Sequence, residues 1–201
     1  MASHYIGPDG QPRCSWCGAA PEFLDYHDHE WGFPVDDDQR LFEKLCLESF
    51  QSGLSWRTIL AKRENFRAAF HQFDFHKVAR FTEKDVERLL QDKGIVRHRG
   101  KIEAVINNAR YAEELANREG SLAVFFWRYE PDPESLAKPQ TVSTSEESIA
   151  LSRELKKMGW KFVGPTTVYA FMQATGLIND HAEDCSLRNT VEQERGRFKR
   201  P

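Results

Sequence analysis

Leu41–Trp56, LFEKLCLESFQSGLSW, is the stretch from which the rest of the chain is read. At 3.6 residues per turn, Leu41, Leu45 and Glu48 fall on one stripe, with Phe42 and Cys46 beside it on the face that turns inward. Glu48 therefore points toward apolar surroundings. A carboxylate there is partnered, has a task, or is driven toward its neutral form, because stripping its charge of water costs several kcal/mol. Two arrangements satisfy it. Either Glu48 reaches the rim of the core and pairs with an arginine, or it faces a cleft. Gly53 is placed to end the helix and Ser55 to cap the next one, with Trp56 at the corner between them. In the second arrangement a carboxylate and an indole share that cleft.

Working outward, the acidic run Asp36–Asp38 suits the start of this helix, and a second helix is predicted over Trp56–Phe70 with Ile59, Leu60, Phe66 and Phe70 inward. Thr82 with Asp85 forms a capping box ahead of VERLLQDKG, which Gly94 is placed to terminate. Arg97 to about Arg118 reads as a longer helix with Ile102, Val105, Ile106 and Ala109 buried. Pro131, Pro133 and Pro139 mark a loop between Tyr129 and Gln140. Thr144 with Glu147 is expected to open SIALSRELKK. CSWCGAAPEFLDYHDHEWG packs Cys, His, Trp and Tyr into loops and one short helix near Phe23–His29. No alternating run of strand length and no internal repeat is found, so the class is mainly α. Residues 1–13, with Gly7, Pro8, Gly10 and Pro12, read as a flexible leader, 14–187 as the folded domain in one or two lobes, and 188–201 as a basic tail.

The 201 residues are 40% hydrophobic and 12% aromatic, enough for a core. A net charge of −3 excludes a global positive field, so any nucleic-acid site is a local patch. No stretch approaches the roughly 18 consecutive apolar residues of a membrane span, and Met1–Gln11 lacks the apolar core of a secretory signal. The expectation is a cytoplasmic protein with no membrane partner. Its four cysteines, Cys14, Cys17, Cys46 and Cys185, then stay reduced and serve as metal ligands or buried thiols.

Two features of the final third carry chemistry. The SIALSRELKK helix, the turn MGWKFVG and the helix PTTVYAFMQATG form a helical hairpin bracketed by Gly159 and Gly164, with Pro165 at the first position of the second helix. Amides at such a helix start bind phosphate oxygens, and Lys156, Lys157 and Lys161 lie nearby; two glycines between helices also occur in a plain αα-corner. His181 and Cys185, spaced i, i+4, share one face of a helical turn. With Cys14, Cys17, His27 and His29 they offer several groupings for a tetrahedral metal site that would staple the chain ends, against buried thiols and a surface imidazole as the plain alternative.

Read together, these pieces resemble the bacterial 3-methyladenine DNA glycosylase I family, within the helix-hairpin-helix DNA repair glycosylases. The likeness covers about residues 13–187. It rests on Arg13-Cys14 with Trp16, YHDHEWG at Tyr26–Gly32, LES-x-QSGLSW at Leu47–Trp56, KREN-x-R at Lys62–Arg67, GI-x-RHRGKI at Gly94–Ile102, KFVG-x-T at Lys161–Thr166 and NDH-x3-C at Asn179–Cys185. The resemblance implies a helix-hairpin-helix fold and one structural zinc ion on Cys14, His27, His181 and Cys185, joining the N- and C-terminal segments, with Cys17 only a neighbour. It implies a base pocket of Trp16, Tyr26, Trp31, Glu48 and Trp56, with Glu48 also the catalytic residue. DNA would be held at Gly159, Lys161, Gly164 and Thr166. Ser49 and Phe50 depart from the family's Gly and small or polar residue after the pocket Glu, and Phe50 is expected to reshape the pocket wall.

The implied activity is excision of 3-methyladenine from alkylated double-stranded DNA by hydrolysis of the N-glycosidic bond, performed by a monomer that leaves an abasic site. Alkylation at N3 makes adenine cationic and a good leaving group, so recognition matters more than a strong acid. Flipping puts the base between Tyr26 and Trp56, with Glu48 on its edge. Asp180 is expected to support the sugar cation or only to cap the turn before His181. Arg97, Arg99 and Lys101 read as a second phosphate patch. The rival reading is a non-catalytic zinc-stapled nucleic-acid-binding module that only holds a flipped base.

Overall fold

Residues 4–201 are described by the structure, a computed structural model. They begin with a short antiparallel hairpin, β1 (Tyr5–Ile6) and β2 (Pro12–Arg13). The leader expected over 1–13 is thus ordered from Tyr5; its first three residues lie outside the described residues. The cause is Arg13. Its buried guanidinium donates to Asp9, to Asp28 at 2.9 Å and to Ser186 at 2.9 Å, pinning the hairpin onto segments far away in sequence.

Eleven α-helices follow among the described residues: α1 (Glu22–His29), α2 (Asp38–Gln51), α3 (Trp56–Ala61), α4 (Arg63–Ala69), α5 (Phe75–Val78), α6 (Glu83–Gln91), α7 (Arg99–Glu119), α8 (Leu122–Trp127), α9 (Glu146–Lys157), α10 (Pro165–Ala174) and α11 (Arg188–Arg197). Asp37 caps α2 by accepting from the Arg40 amide at 2.8 Å. Gly53, at φ +77°, turns the chain after α2 where a side chain would be strained, and Ser55 caps α3. The single helix expected over Trp56–Phe70 breaks at Lys62, which lets Arg63 reach Glu30 and Lys62 reach the carbonyls of Lys93 and Gly94. The Thr82–Asp85 capping box opens α6 as expected. That of α9 is Ser145 with Ser148, one residue beyond the expected Thr144–Glu147 pair.

The core forms around α2, which packs against α3, α7, α8 and α10. Phe50 is fully buried within it, its ring centroid 4.6 Å from that of Phe66 and 6.0 Å from that of Phe70. It is a core side chain and not part of the pocket wall, which corrects the expectation that it reshapes the pocket. Ser49 also turns away, donating to the Leu45 carbonyl at 2.8 Å.

The segment expected as a basic tail is α11 and its short extension, bound into the domain. Arg195 is 3% exposed and donates to the carbonyls of Gly176 and Leu177 and to Glu130. Arg200 also meets Glu130. Composition alone suggested solvated charge; pairing to buried carbonyls and one shared glutamate makes the segment structural. Among the described residues, no helix is long and apolar enough to cross a membrane.

Candidate functional site

A cleft of about 670 Å³ lies between the α1 side and the α2–α3 corner on one wall, and α10 with the loop around Gln140–Ser143 on the other. Trp16, Tyr26, Trp31, Glu48 and Trp56 all line it. Glu48, in the last turn of α2, is 6% exposed. Burial pushes its carboxyl up to about 8, offset only in part by the nearby Lys44 ammonium. Of the two arrangements open for Glu48, the arginine-paired one belongs to its neighbour Glu43, which meets Arg40 and Arg67 at 2.8 Å. Lys44, one turn before Glu48, has its ammonium 3.7 Å from Glu30 and 5.7 Å from the Tyr26 ring centroid, and burial draws its pKa down to about 8. Glu30 also holds Arg63 through both carboxylate oxygens. The basic side chains behind α2 are thus occupied by Glu30 and Glu43, and Glu48 is left for the cleft.

Aromatic rings build the near wall. Tyr26 and Trp56 have centroids 5.3 Å apart at 46°, while Trp16 meets Trp31 edge-on at 5.2 Å. Burial, then the charge of Glu48, raises the Tyr26 phenol well above its ordinary range, so it stays a neutral donor. The Trp56 Nε1–H is buried with no acceptor among the described residues. On the opposite wall Asp180 is buried and accepts from the Gln140 amide at 3.0 Å and from Gln173 Nε2 at 2.6 Å. Asn179, not Asp180, accepts from the His181 amide, at 3.4 Å. Gln140 was invisible to sequence reasoning. It has φ +59° and its side-chain Nε2 donates to Cys14 Sγ at 3.0 Å, a link that no motif or periodicity encodes.

Cys14, His27, His181 and Cys185 are buried together, their ligand atoms all within 4.8 Å of one another. His27 Nε2 to His181 Nδ1 is 3.1 Å; Cys185 Sγ is 3.5 Å from each of these nitrogens, and Cys14 Sγ is 3.8 Å from His181 Nδ1. Tetrahedral bonds of about 2.3 Å to sulfur and 2.1 Å to nitrogen give edges of roughly 3.4 Å between nitrogens and 3.6 Å between sulfur and nitrogen. The donor set fits a metal ion. The outer ring nitrogens are oriented, His27 Nδ1 by Asp28 at 2.7 Å and His181 Nε2 by the Trp31 carbonyl at 3.0 Å. Cys185 is held far below the thiol range, first by Cys14 and then by the two imidazoles. Cys17 lies outside the group, its thiol pushed up to about 12 by burial. His29 is exposed and pairs with Asp25.

The turn between α9 and α10 is gripped by α7. Asn107 donates to the Gly159 carbonyl, and Asn108 donates to the Lys161 carbonyl and accepts from its amide, all within 2.9 Å. Gly159 has φ +97°, and a Cβ there would lie 2.6 Å from the Tyr111 ring, so the fold itself requires glycine. Gly164 differs: its φ is −63° and a Cβ would meet nothing within 4 Å. It is the N-cap of α10 and offers no side-chain cap, leaving the first amides of α10 unused by side chains. Lys161 is exposed, and Thr166 lines the cleft. The second patch comes apart. Arg99 is exposed but paired with Glu83, Glu87 and Glu103, and Lys101 is buried, so of the three only Arg97 is exposed with no carboxylate partner among the described residues.

A family model described as methyladenine glycosylase matches residues 16–189. The chain is 50% identical over 177 residues to DNA-3-methyladenine glycosylase 1 of Escherichia coli (strain K12), covering 86% of this chain and 95% of that protein. It is 44% identical over 182 residues to DNA-3-methyladenine glycosylase of Haemophilus influenzae (strain ATCC 51907 / DSM 11121 / KW20 / Rd), covering 89% and 98%. Among solved structures, a crystal structure of a 3-methyladenine DNA glycosylase I superposes with a TM-score of 0.82 at 48% identity, covering 87% of this chain and 98% of that one. The Staphylococcus aureus enzyme, in a structure describing its recognition of 3-methyladenine, gives 0.80 at 40% identity, covering 84% and 92%.

Proposed function

The chain belongs to the 3-methyladenine DNA glycosylase I family, and from that premise we propose how its own residues perform the family's reaction. It is a DNA repair glycosylase that excises 3-methyladenine. The lesion lies inside a duplex and must leave the stack to reach a buried cleft, so the substrate is double-stranded alkylated DNA and the step before chemistry is flipping. Tyr26 and Trp56 give the flipped cationic base its stacking faces, a preference of about 0.5–2 kcal/mol per well-placed ring. Trp16 and Trp31 back those faces, and Glu48 accepts a hydrogen bond from the edge of the base. As a carboxylate in a dry site it favours the cation over neutral adenine.

The observation that carries this reading is a buried Glu48, with no hydrogen-bond or ion-pair partner among the described residues, opening on a cleft walled by Tyr26 and Trp56. Excision breaks a bond that the lesion has already weakened: the C1′–N9 electron pair leaves with the cationic base, which departs as neutral 3-methyladenine, while a water oxygen bonds to C1′ and releases its proton to solvent. Glu48 holds the base through departure. The amides at the start of α10, with Lys161, take a phosphate as in a helix-hairpin-helix element, with Gly159 and Gly164 shaping the turn and Thr166 at its junction with the cleft. Net charge is −3, so this is a local contact.

Cys14, His27, His181 and Cys185 would hold one zinc ion in a structural role: four protein ligands leave no open position for chemistry. The domain over 14–187, extended by the hairpin before it and α11 after it, works as a cytoplasmic monomer. Release of free 3-methyladenine from methylated duplex DNA tests the function. Binding of the base without its release would instead support the non-catalytic module, a reading that loses its main support once Phe50 lies in the core.

A further inference from the structure

The helix that carries Glu48 ends at the cleft, and the turn after it, Gln51–Leu54, forms part of the rim. Its own ties are few. The Ser52 amide donates to Ser49 at 3.4 Å and the Leu54 amide to Gln51 at 2.7 Å. Gly53 has open space around its Cβ position, and Leu54 is 40% exposed. Among the described residues, one side chain from elsewhere hydrogen-bonds to this turn. Lys101, in the first turn of α7, donates from its ammonium to the Phe50 carbonyl at 2.8 Å and the Ser52 carbonyl at 2.5 Å. It is 8% exposed. Burying a lysine is costly unless its protons are used, and here they meet carbonyls at a helix C-terminus, which lack intrahelical donors and carry the negative end of the helix dipole. The same first turn is capped by His98, which accepts from the Lys101 amide at 3.1 Å.

We propose that Lys101 is a positioning residue of the base site: its ammonium fixes the Gln51–Leu54 rim against the end of α2, and so sets the mouth through which the base meets Glu48. The inference rests on the reading of the cleft as a base pocket. It replaces the phosphate contact that the sequence suggested for Lys101, since an ammonium engaged with two carbonyls inside the protein is turned away from DNA.

The test compares wild type, Lys101→Met and Lys101→Arg for binding of free 3-methyladenine, binding of undamaged duplex across salt concentrations, and melting. Lys101→Met is expected to lower affinity for the base roughly tenfold, Lys101→Arg to recover most of that loss, and neither to change the slope of duplex binding against salt. A slope reduced by about one with base affinity intact would make Lys101 a phosphate contact. A lower melting temperature with base affinity intact would make it structural only. Either result overturns the inference. If Lys101→Met does not fold, nitrogen-15 NMR of the Lys101 ammonium in wild type decides: a shift on titration with 3-methyladenine is expected, and none overturns it. A wild type that does not bind 3-methyladenine overturns the reading of the cleft itself, and is seen before any variant is compared.

Discussion

His27 Nε2 and His181 Nδ1 lie 3.1 Å apart across 154 residues of chain. The outer nitrogen of each ring faces an acceptor, His27 Nδ1 the Asp28 carboxylate and His181 Nε2 the Trp31 carbonyl, so the two inner nitrogens turn lone pairs toward each other, and a shared metal ion explains that approach together with the two sulfurs beside them. Purified protein is expected to contain one zinc per chain. Cys14→Ser or His181→Ala should lose it and melt on the order of 10 °C lower, because the staple between the chain ends goes with the ion. Cys17→Ser should keep it. Metal analysis of the three variants checks this, and loss from Cys17→Ser with retention in Cys14→Ser would reverse the assignment.

The two glycines of the α9–α10 turn should separate folding from binding. Gly159→Val meets both a left-handed backbone and the Tyr111 ring, so it should be strongly destabilised or unfolded. Gly164→Val has room and an ordinary φ; it should fold, yet weaken binding to damaged and undamaged duplex alike by crowding the amides of α10. Lys161→Ala should lower the salt slope of binding by about one. Normal duplex affinity in a folded Gly164→Val would reduce the turn to a corner.

Arg195 anchors α11. Arg195→Met leaves Glu130 with less of its partner shell and two carbonyls unsatisfied, and should cost about 3–5 kcal/mol in denaturant unfolding. A change below about 1 kcal/mol would return the segment to the status of a tail.

These contrasts also mark where sequence reading ends. Caps are local, so Asp37, Ser55 and the Thr82–Asp85 box could be read from a few adjacent residues. The stripe that turned Glu48 inward is equally local, but the choice between an arginine and a cleft was not. Arg40 and Arg67 reach Glu43 from different helices, and only the folded chain shows that they stop there. The Cys and His residues were legible as ligand types, whereas which of six met depended on contacts between the chain ends. Arg13, Gln140, Lys101 and Arg195 went unread as anchors for the same reason: each bonds backbone or side chains more than ten residues away, without periodicity to announce it.

The pH profile should show Glu48 directly. With its pKa raised to about 8 in the empty cleft, the carboxyl is neutral below that pH and ionised above it. A cationic base needs the ionised form and expels the proton, so kcat/KM for excision should rise with pH from 6, pass half its plateau near 8 and level off about one unit higher. Glu48→Gln has no such group and should lose that limb. A wild-type profile that is flat from pH 6 to about 8.5 would contradict the placement of this carboxyl at the base.

The central claim is that Glu48 serves the base and not the fold, and single-turnover excision measured beside melting curves at acid and alkaline pH tests it most directly. A carboxyl whose folded pKa is raised above its unfolded value contributes stability below that unfolded value, and the contribution is lost as pH rises toward about 8. Glu48→Gln escapes that loss: it should melt near wild type at pH 4.5 and higher than wild type at pH 8. Its excision should fall roughly ten- to a hundredfold, the loss of a charged hydrogen bond in a dry site. Trp56→Ala serves as the control, weakening base binding while zinc content stays unchanged. A Glu48→Gln protein that excises 3-methyladenine at the wild-type rate and melts lower than wild type would contradict the account.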